Sequence, residues 1–353
     1  INKNIYSEVD NISVLDPYAT KDGVSLGYNL YFRETDYGEF NVANYLTNSN
    51  GLGVQFGYPI SDITRLNFNL TYDKTDIDIG TLPAREIYDF VAAEGNVFET
   101  LSLGFTWQRV TLNRGLFPTD GSSTSFTLTS TIPGSDINYY RANIRQRFYQ
   151  PLSSQLVFGF QGELGYLDAY GETDETPFFQ NFYAGGPRSL RGFESNTLGP
   201  RSTNAPCYEF NYDDGTCPNL IDTDGDGELD TPYYNPYATN EYSSRSRYRD
   251  PPIGGNIKIE GSLQLIFRLP FIEDQRSLRS AFFFDFGNVF SDNCKEYQFN
   301  CYKPSIDDLR YSYGVGVTWI TGFGPMSLAI AKPTNAGPQE RTEEFQFTVG
   351  NVF

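Results

Sequence analysis

The feature that most constrains the fold is a regular alternation of apolar and polar residues over unusually long segments. In residues 65–73, RLNFNLTYD, every second residue is apolar, and residues 123–132 and 155–166 follow the same period. Successive side chains of a β-strand point to opposite faces, so each segment has one apolar and one polar face. Many segments exceed the roughly 9–11 residues that cross a bilayer, whereas strands of soluble sandwiches average about 5–6. The length therefore favours a membrane-spanning all-β barrel.

Thirteen segments alternate in this way: 4–15, 23–34, 49–59, 64–76, 97–111, 122–133, 137–150, 155–168, 255–269, 277–290, 309–320, 325–332 and 343–353. Their connections alternate between short and long: residues 19–23, 61–63 and 150–154 are short, and 78–95 and 171–254 are long. Short turns on one side and long loops on the other are typical of a transmembrane antiparallel up-and-down β-barrel. Residues 134–136 depart from this rule, because they form a short connection on the long-loop side.

Composition agrees with many strands and argues against other classes. Aromatic residues make up 16% of the 353 residues, and no run reaches the roughly 18 consecutive apolar residues of a transmembrane helix. The mean hydropathy of −0.44 does not argue against a membrane, because alternation hides the apolar face of a barrel strand. The net charge of −18 argues against nucleic acid as a partner, since nucleic-acid sites need basic patches.

Four cysteines occur as two local pairs, Cys207 with Cys217 and Cys294 with Cys301. Four cysteines allow about three connectivities, and closeness in the chain favours pairing within each loop. Neither pair has the spacing of a zinc site, and the chain has no histidine. The pairs therefore predict two disulfides in an oxidising compartment such as the periplasm or the cell surface.

An acidic run at residues 222–230, DTDGDGELD, resembles a calcium loop, with oxygens at Asp222, Asp224 and Asp226. Tyr233 stands where such a loop has its last acidic ligand. The alternative interpretation is a solvent-exposed acidic loop without a metal. No other cofactor is predicted.

The most informative stretch lies in the long region without alternation: residues 181–200 read NFYAGGPRSLRGFESNTLGP. Gly185 and Gly186 permit a sharp turn, and Pro187 fixes the next backbone angle. Arg191 follows, and an always-charged guanidinium tolerates burial only when it is paired. The segments FYAGG, RGF and SNTLGP resemble the characteristic loop of the BamA family of outer-membrane β-barrel assembly factors.

This resemblance implies that residues 1–353 form the transmembrane barrel domain, with 171–254 as a long extracellular loop that folds back into the lumen. The family barrel has about sixteen strands, an even number as in other bacterial barrels. The segments TKDGVSLG, FPTDGS and TIPGSD match family positions that put Ile1 near the end of the third strand. We therefore expect the first strands and the POTRA domains to be absent from this chain, and thirteen strands not to close a normal barrel.

The resemblance also implies a partner for Arg191. By parity, Phe282, Phe284 and Phe286 face lipid, so Asp285 of FFFDFG faces the lumen, where the family's carboxylate receives the loop arginine. The family's second acid is replaced by Gln264, and Glu260 is the alternative source of charge. The predicted loop anchor comprises Gly185, Gly186, Arg191, Gly192, Phe193, Asp285, Gln264 and Glu260. Nearby, Arg141, Arg145 and Arg147 are expected to face inward and balance acids such as Glu163.

The last segment, FQFTVGNVF, resembles the C-terminal β-signal of outer-membrane proteins. Its aromatic and branched residues share one face, as a closing strand with an interfacial aromatic requires. The predicted gate strand carries Phe345, Phe347, Val349, Gly350 and Phe353.

The resemblance implies ATP-independent folding and insertion of other β-barrels into the outer membrane of a Gram-negative bacterium. A lateral gate beside the last strand would receive unfolded clients from the bilayer, with accessory lipoproteins as further partners. The alternatives are a passive channel or a two-partner-type secretion pore of the same superfamily, an adhesive barrel and an enzyme. The absence of histidine excludes Ser-His and His-Asp catalysis, so no enzymatic activity is predicted.

Overall fold

The computed structural model describes residues 2–3, 7–37, 42–43, 45–79, 83–203, 220–221, 231–232, 251–269, 272, 277–296, 298, 301–322, 324–337 and 339–350. All thirteen alternating segments form strands there. The strands of the main sheet are β1 (Asn2–Lys3), β2 (Ser7–Asp16), β3 (Ser25–Asp36), β4 (Leu46–Ser61), β5 (Thr64–Asp78), β6 (Val97–Val110), β7 (Gly121–Thr131), β8 (Tyr139–Pro151), β9 (Leu156–Ala169), β13 (Ile257–Phe267), β14 (Leu278–Phe290), β15 (Arg310–Thr321), β16 (Gly324–Pro333) and β18 (Phe345–Val349). The predicted all-β fold is confirmed.

These strands form one antiparallel sheet in which each strand pairs with its neighbours in the chain. Among the described strands of this sheet, the long step is between β9 and β13, which pair directly across the long loop, with Glu163 opposite Glu260. Four two-residue strands lie outside the sheet: β10 (Gly192–Phe193), β11 (Leu220–Ile221), β12 (Thr231–Pro232) and β17 (Thr342–Glu343). Among the described residues, no pairing joins β18 to β1 or β2, so the sheet is open along this edge.

The sheet has an outer face with exposed apolar side chains and an inner face on which the long loop lies. On β14, Phe282 and Phe284 are exposed, whereas Phe283 and Asp285 are buried. The same alternation leaves large apolar side chains exposed on most other strands, for example Leu52 and Phe68. An apolar outer face of this kind is stable against hydrocarbon and costly in water.

One helix interrupts the connection at residues 78–95, which the alternation pattern leaves as a plain loop. Helix α1 (Arg85–Glu94) buries Ile87 and Phe90 on one face. These residues are three apart, which is the spacing of neighbours on a helical surface. Within the part of the chain that the structure describes, no helix is long and apolar enough to cross a membrane.

A hydrophobic core lies where the long loop meets the outer ends of the strands and α1. Phe90 of α1 packs edge-on against Phe178, with ring centroids 5.4 Å apart, and Phe178 packs in the same way against Tyr45. The long loop contributes Phe178, Phe182, Ala184, Leu190, Phe193 and Leu198 to this core. The loop is thus a packed part of the fold, and its buried apolar residues fix where the polar tip around Arg191 lies.

Candidate functional site: the loop anchor

The loop turns back on itself before Arg191. Gly185 and Gly186 both adopt positive φ, at 103° and 97°, which residues with a Cβ rarely do. The backbone N–H of Gly186 donates to Leu190 O over 3.1 Å, and that of Gly185 donates to Ser189 Oγ over 2.9 Å. The turn is therefore closed by its own hydrogen bonds and presents Arg191 toward β14.

Arg191 and Asp285 form a buried, two-pronged ion pair. Arg191 Nε lies 2.7 Å from Oδ2 of Asp285, and Arg191 Nη2 lies 2.7 Å from Oδ1. The backbone N–H of Arg191 also donates to Oδ2, over 3.2 Å. The two side chains are 5% and 0% exposed. Charged hydrogen bonds of this parallel geometry are stronger and more directional than those of a single ammonium group.

Neighbouring strands complete the surroundings of the guanidinium. Arg191 Nη2 donates to Ser262 Oγ of β13 over 2.9 Å, and the guanidinium carbon lies 3.5 Å from the centroid of the Phe283 ring. An arginine over an aromatic face gains further electrostatic stabilisation. Gln264 is buried and donates to the same Ser262 hydroxyl over 3.4 Å. Gln264 thus lies among the residues around the ion pair and shares the Ser262 hydroxyl with Arg191 as a hydrogen-bond acceptor.

Glu260, the alternative source of charge for Arg191, binds Ser189 of the loop. It accepts a hydrogen bond from Ser189 and lies 3.0 Å from Nζ of Lys258. Lys258 lies 3.7 Å from Glu163, which also pairs with Arg145 over 3.2 Å. This chain of alternating charges joins the loop to β8, β9 and β13. Glu260 therefore forms a second polar attachment of the loop, two residues before Arg191.

The three inward arginines of β8 have different surroundings. Arg145 pairs with Glu163, as the charge pattern predicts, whereas Arg141 stacks over the Phe182 ring with its guanidinium carbon 4.3 Å from the centroid. Arg147 lines a cavity of about 520 Å³ together with Arg188 of the loop and Gln108 of β6. The inner face below the loop tip is therefore open and polar.

The two residues after Arg191 contact the segment that leads into the last strand. Gly192 pairs with Glu343 and Phe193 with Thr342, so β10 and β17 form a short antiparallel ladder. Phe193 is fully buried, and Gly192 has φ of 90°. A Cβ at Gly192 would lie 3.1 Å from the Cβ of Ala331 and 3.3 Å from Pro333 Cδ, which is closer than most real contacts. Glycine is needed here because the loop backbone lies directly on β16.

Gln346 is a site residue that the sequence analysis missed. Its side chain is 1% exposed and lies on the inner face of β18. Gln346 Oε1 accepts from the Gly192 N–H over 3.3 Å, and Nε2 donates to Phe193 O over 2.8 Å. The signal was present in the sequence, because a polar residue between Phe345 and Phe347 must face inward.

Three residues of β18 share its outer face. Phe345, Phe347 and Val349 are 61%, 50% and 54% exposed on the outer face. The N–H of Gly350 donates to Pro325 O over 2.7 Å, directly after β18 ends. Phe353 lies outside the described residues.

A second buried ion pair, also missed, holds the connection between β16 and β18. Arg310 Nε lies 2.7 Å from Oε2 of Glu340, and the side chains are 8% and 1% exposed. The Gly337 N–H donates to the same carboxylate oxygen over 2.7 Å. Burial raises the pKa of the nearby Tyr302 hydroxyl, and the Glu340 charge raises it further. Local sequence contains no signal for this pair, because Arg310 begins β15 whereas Glu340 lies in the later connection between β16 and β18.

Another carboxylate outside the strands, Glu86 of α1, binds the far end of the described loop. It accepts hydrogen bonds from the backbone N–H of Thr203, over 2.9 Å, and from its hydroxyl, over 2.7 Å. Burial is the main influence on this carboxyl and raises its pKa, although the hydrogen bonds oppose the shift. This contact attaches α1 to the loop beyond the anchor.

Of the predicted disulfides, Cys294–Cys301 is present in the structure. Its loop contacts the long loop through an ion pair between Lys295 and Glu175. Cys207, Cys217 and the three aspartates of the calcium-like run, Asp222, Asp224 and Asp226, lie outside the described residues.

Comparison with known proteins gives this geometry a family context. The Omp85 superfamily domain matches residues 1–353. The chain is 31% identical, over 97% of its length, to outer membrane protein assembly factor BamA of Neisseria meningitidis serogroup B, and covers 41% of that protein. It is 26% identical over 50% of its length to SAM50-like protein CG7639 of Drosophila melanogaster, covering 39% of it.

Solved structures give the same picture. BamA from Haemophilus ducreyi lacking POTRA domains 1–3 superposes with a TM-score of 0.78 at 28% identity, covering 99% of this chain and 63% of that one. CdiB from Escherichia coli superposes with a TM-score of 0.55 at 10% identity, which shows the fold alone, over 97% of this chain and 52% of that one. The chain thus spans less than two thirds of these relatives.

Proposed function

The chain belongs to the Omp85 superfamily of integral outer-membrane β-barrel proteins, and on that premise we propose that it folds and inserts other β-barrel proteins into the outer membrane. The process needs no ATP and takes place at the edge of β18. Its clients are unfolded outer-membrane proteins that arrive within or beside the bilayer. Accessory lipoproteins of an assembly machine are further partners.

The observation that carries this proposal is the match to outer membrane protein assembly factor BamA, 31% identical over 97% of this chain, and the last strand of the sheet is short. β18 is five residues long and pairs with β16, which is ten residues long. Among the described residues, no strand covers its other edge. We infer that the seam beside β18 opens toward lipid in the whole barrel, where its edge presents N–H and C=O groups that a client strand can bind by β-augmentation. Lipid-facing Phe345 and Phe347 keep this edge at the level of the hydrocarbon.

In this proposal the ion pair between Arg191 and Asp285 anchors the long loop inside the barrel. A fixed loop keeps the strands that lead to the edge in one arrangement, so the edge is preorganised for a client strand. In this proposal the protein acts as a template, which is a non-enzymatic role. Calcium binding at Asp222, Asp224 and Asp226 stays a prediction of the acidic sequence, as does the division of residues 1–353 into one barrel domain with a folded-back loop at 171–254.

The test is a client-folding assay in liposomes with the full-length protein, including the N-terminal strands and POTRA domains that the family resemblance implies. Several unrelated unfolded barrels are added to liposomes with the protein, with its Arg191→Ala variant, or with neither. We expect the protein to speed the folding of all clients over empty liposomes and the variant to lose most of this effect. A matched control is Arg145→Ala, which removes an exposed member of the neighbouring charge chain.

The remaining candidate is a secretion pore or passive channel of the same superfamily. A pore would conduct ions through planar bilayers and serve one dedicated client. Conductance together with no acceleration of any client over empty liposomes would therefore replace the insertase proposal with the pore. Arg191 would then be a structural tether of the loop.

A further inference from the structure

The last strand pairs with the sheet over fewer residues than any described strand from β2 to β16 in the main sheet. Its five residues pair with β16 from Met326 opposite Val349 to Ile330 opposite Phe345. Phe345, Phe347 and Val349 are exposed on the outer face, whereas Gln346 is directed inward and buried. Gln346 is thus the residue of β18 through which the inner face can restrain this strand.

Gln346 binds the main chain of the loop tip at two points. Its amide accepts from Gly192 N–H and donates to Phe193 O, at 3.3 Å and 2.8 Å. A side-chain amide has one acceptor and two donors, and the second donor of Gln346 reaches Glu343 Oε2 over 3.3 Å. The amide is therefore satisfied by partners on the loop and on β17, all in a buried setting where an unpaired polar group is costly.

The same loop tip is fixed to β14 on its other side. Arg191, directly before Gly192, is held by Asp285 through its side chain and its backbone N–H. The three residues 191–193 therefore connect the inner wall at β14 with the edge strand β18. The Arg191 N–H, the Gly192 N–H and Phe193 O lie on consecutive residues. Release of Arg191 should therefore displace the main-chain groups that Gln346 binds.

We propose that Gln346 is a positioning residue that couples the Arg191–Asp285 anchor to the edge strand. While the anchor is closed, the Gln346 amide holds β18 against the loop tip and restrains its separation from β16. When the anchor is released, the two main-chain partners of the amide shift, and β18 is retained by its ladder to β16 and by the pairing of β17 with β10. The inference deepens the proposed function, because it names the internal contact that regulates the edge offered to a client.

The test measures backbone amide hydrogen exchange of residues 345–349 in the full-length protein in liposomes without any client. Gln346→Ala removes both loop hydrogen bonds, and we expect exchange of this segment to rise about tenfold or more, the change that one to two buried hydrogen bonds produce. Gln346→Glu keeps an acceptor but loses the donor to Phe193 O and adds charge beside Glu343, so it should resemble Gln346→Ala. The matched control is Thr348→Val, the next inward residue of β18, whose buried hydroxyl has no partner among the described residues.

Coupling to the anchor is tested by combining variants. In an Arg191→Ala background the loop tip is already released, so adding Gln346→Ala should change exchange much less than it does in the unmodified protein. A merely structural glutamine would give the same increase in both backgrounds, and that result, or an unchanged rate in Gln346→Ala alone, would overturn the proposal. The readout contains no client, so a protein that fails to fold clients but shows this non-additivity would disprove the insertase function and leave the coupling intact.

Discussion

Arg191 and Asp285 are 94 residues apart in the chain, yet the guanidinium places Nε and Nη2 2.7 Å from the two carboxylate oxygens. The pair is buried between the long loop and β14, with Phe283 beneath it and Ser262 beside it. Because both charges are out of water, each depends on the other for stability. The contact therefore fixes the loop to β14, and loss of either residue leaves the other one buried without its counter-ion.

Removal of Arg191 should destabilise the protein strongly. Arg191→Ala leaves the Asp285 carboxylate buried without its counter-ion, and the free energy of unfolding should fall by about 3–5 kcal/mol. Arg191→Lys should recover only part of this loss, because an ammonium group cannot bind both oxygens in parallel. The measurement is urea unfolding in detergent micelles or liposomes, followed by intrinsic tryptophan fluorescence.

The control for this prediction is Arg145→Ala. Arg145 pairs with Glu163, but its side chain is 66% exposed. Exposed pairs contribute about 0–1 kcal/mol, so this variant should unfold close to the unmodified protein. Equal losses in the two variants would contradict the role of burial in the anchor.

Gly192→Ala should displace the loop tip. The substitution puts a Cβ 3.1 Å from Ala331 at a residue with φ of 90°, so backbone strain adds to a steric clash. Strain of this kind costs about 1–2 kcal/mol in a residue with a side chain, and the clash adds to it. Gly134→Ala is the matched control, because φ is 100° there but nothing lies within 4 Å of the added Cβ. Gly192→Ala should therefore lower the midpoint of thermal unfolding more than Gly134→Ala does. Equal shifts of the two midpoints would argue against close packing of the loop on β16.

Loss of Glu340 should loosen the connection between β16 and β18 while leaving the loop anchor closed. Glu340→Ala leaves Arg310 buried and unpaired, and we expect a local loss of about 3–5 kcal/mol. Hydrogen exchange of residues 334–344 should rise, with little change around residue 285. The comparison is Glu99→Ala, which breaks the solvent-exposed Lys74–Glu99 pair and should change hydrogen exchange of its own surroundings much less.

The contact of α1 with Thr203 should depend on pH through Glu86. Burial raises the pKa of this carboxyl, so the folded protein binds its proton more tightly than the unfolded chain does. The resulting stabilisation is fully present below the unfolded pKa of about 4.3 and is lost as pH rises through the higher folded pKa.

Glu86→Gln stays neutral at all pH values and keeps one acceptor for Thr203. Its stability advantage over the unmodified protein should therefore be larger at pH 7 than at pH 4, as measured by the difference in thermal midpoints. The exposed Glu172 provides the control, since the difference in thermal midpoints for Glu172→Gln should change much less between pH 4 and pH 7. A difference for Glu86→Gln that is constant with pH would mean that the carboxyl titrates normally.

Much of the fold could be predicted because period-2 alternation is a local property. Each of the thirteen segments shows its own faces, so β14 reveals that Asp285 points inward without any knowledge of its neighbours. Helix α1 was missed because Ile87 and Phe90 give only a short 3.6-residue period within a connection flanked by strong strand patterns. The disulfide between Cys294 and Cys301 was predictable because its partners have a sequence separation of only 7.

The strands and their inward and outward faces could be predicted from the order of residues alone. The same holds for the loop residues that resemble the family pattern. Which inward groups contact each other depends on the tertiary structure. Glu260 contacts Ser189, and Arg310 contacts Glu340. Gln346 contacts the main chain of Gly192 and Phe193. The physical reason is that alternation fixes the direction of a side chain but not the position of a long loop. That position depends on the packing of its buried aromatic residues against α1 and the strand ends, which brings together groups far apart in the chain.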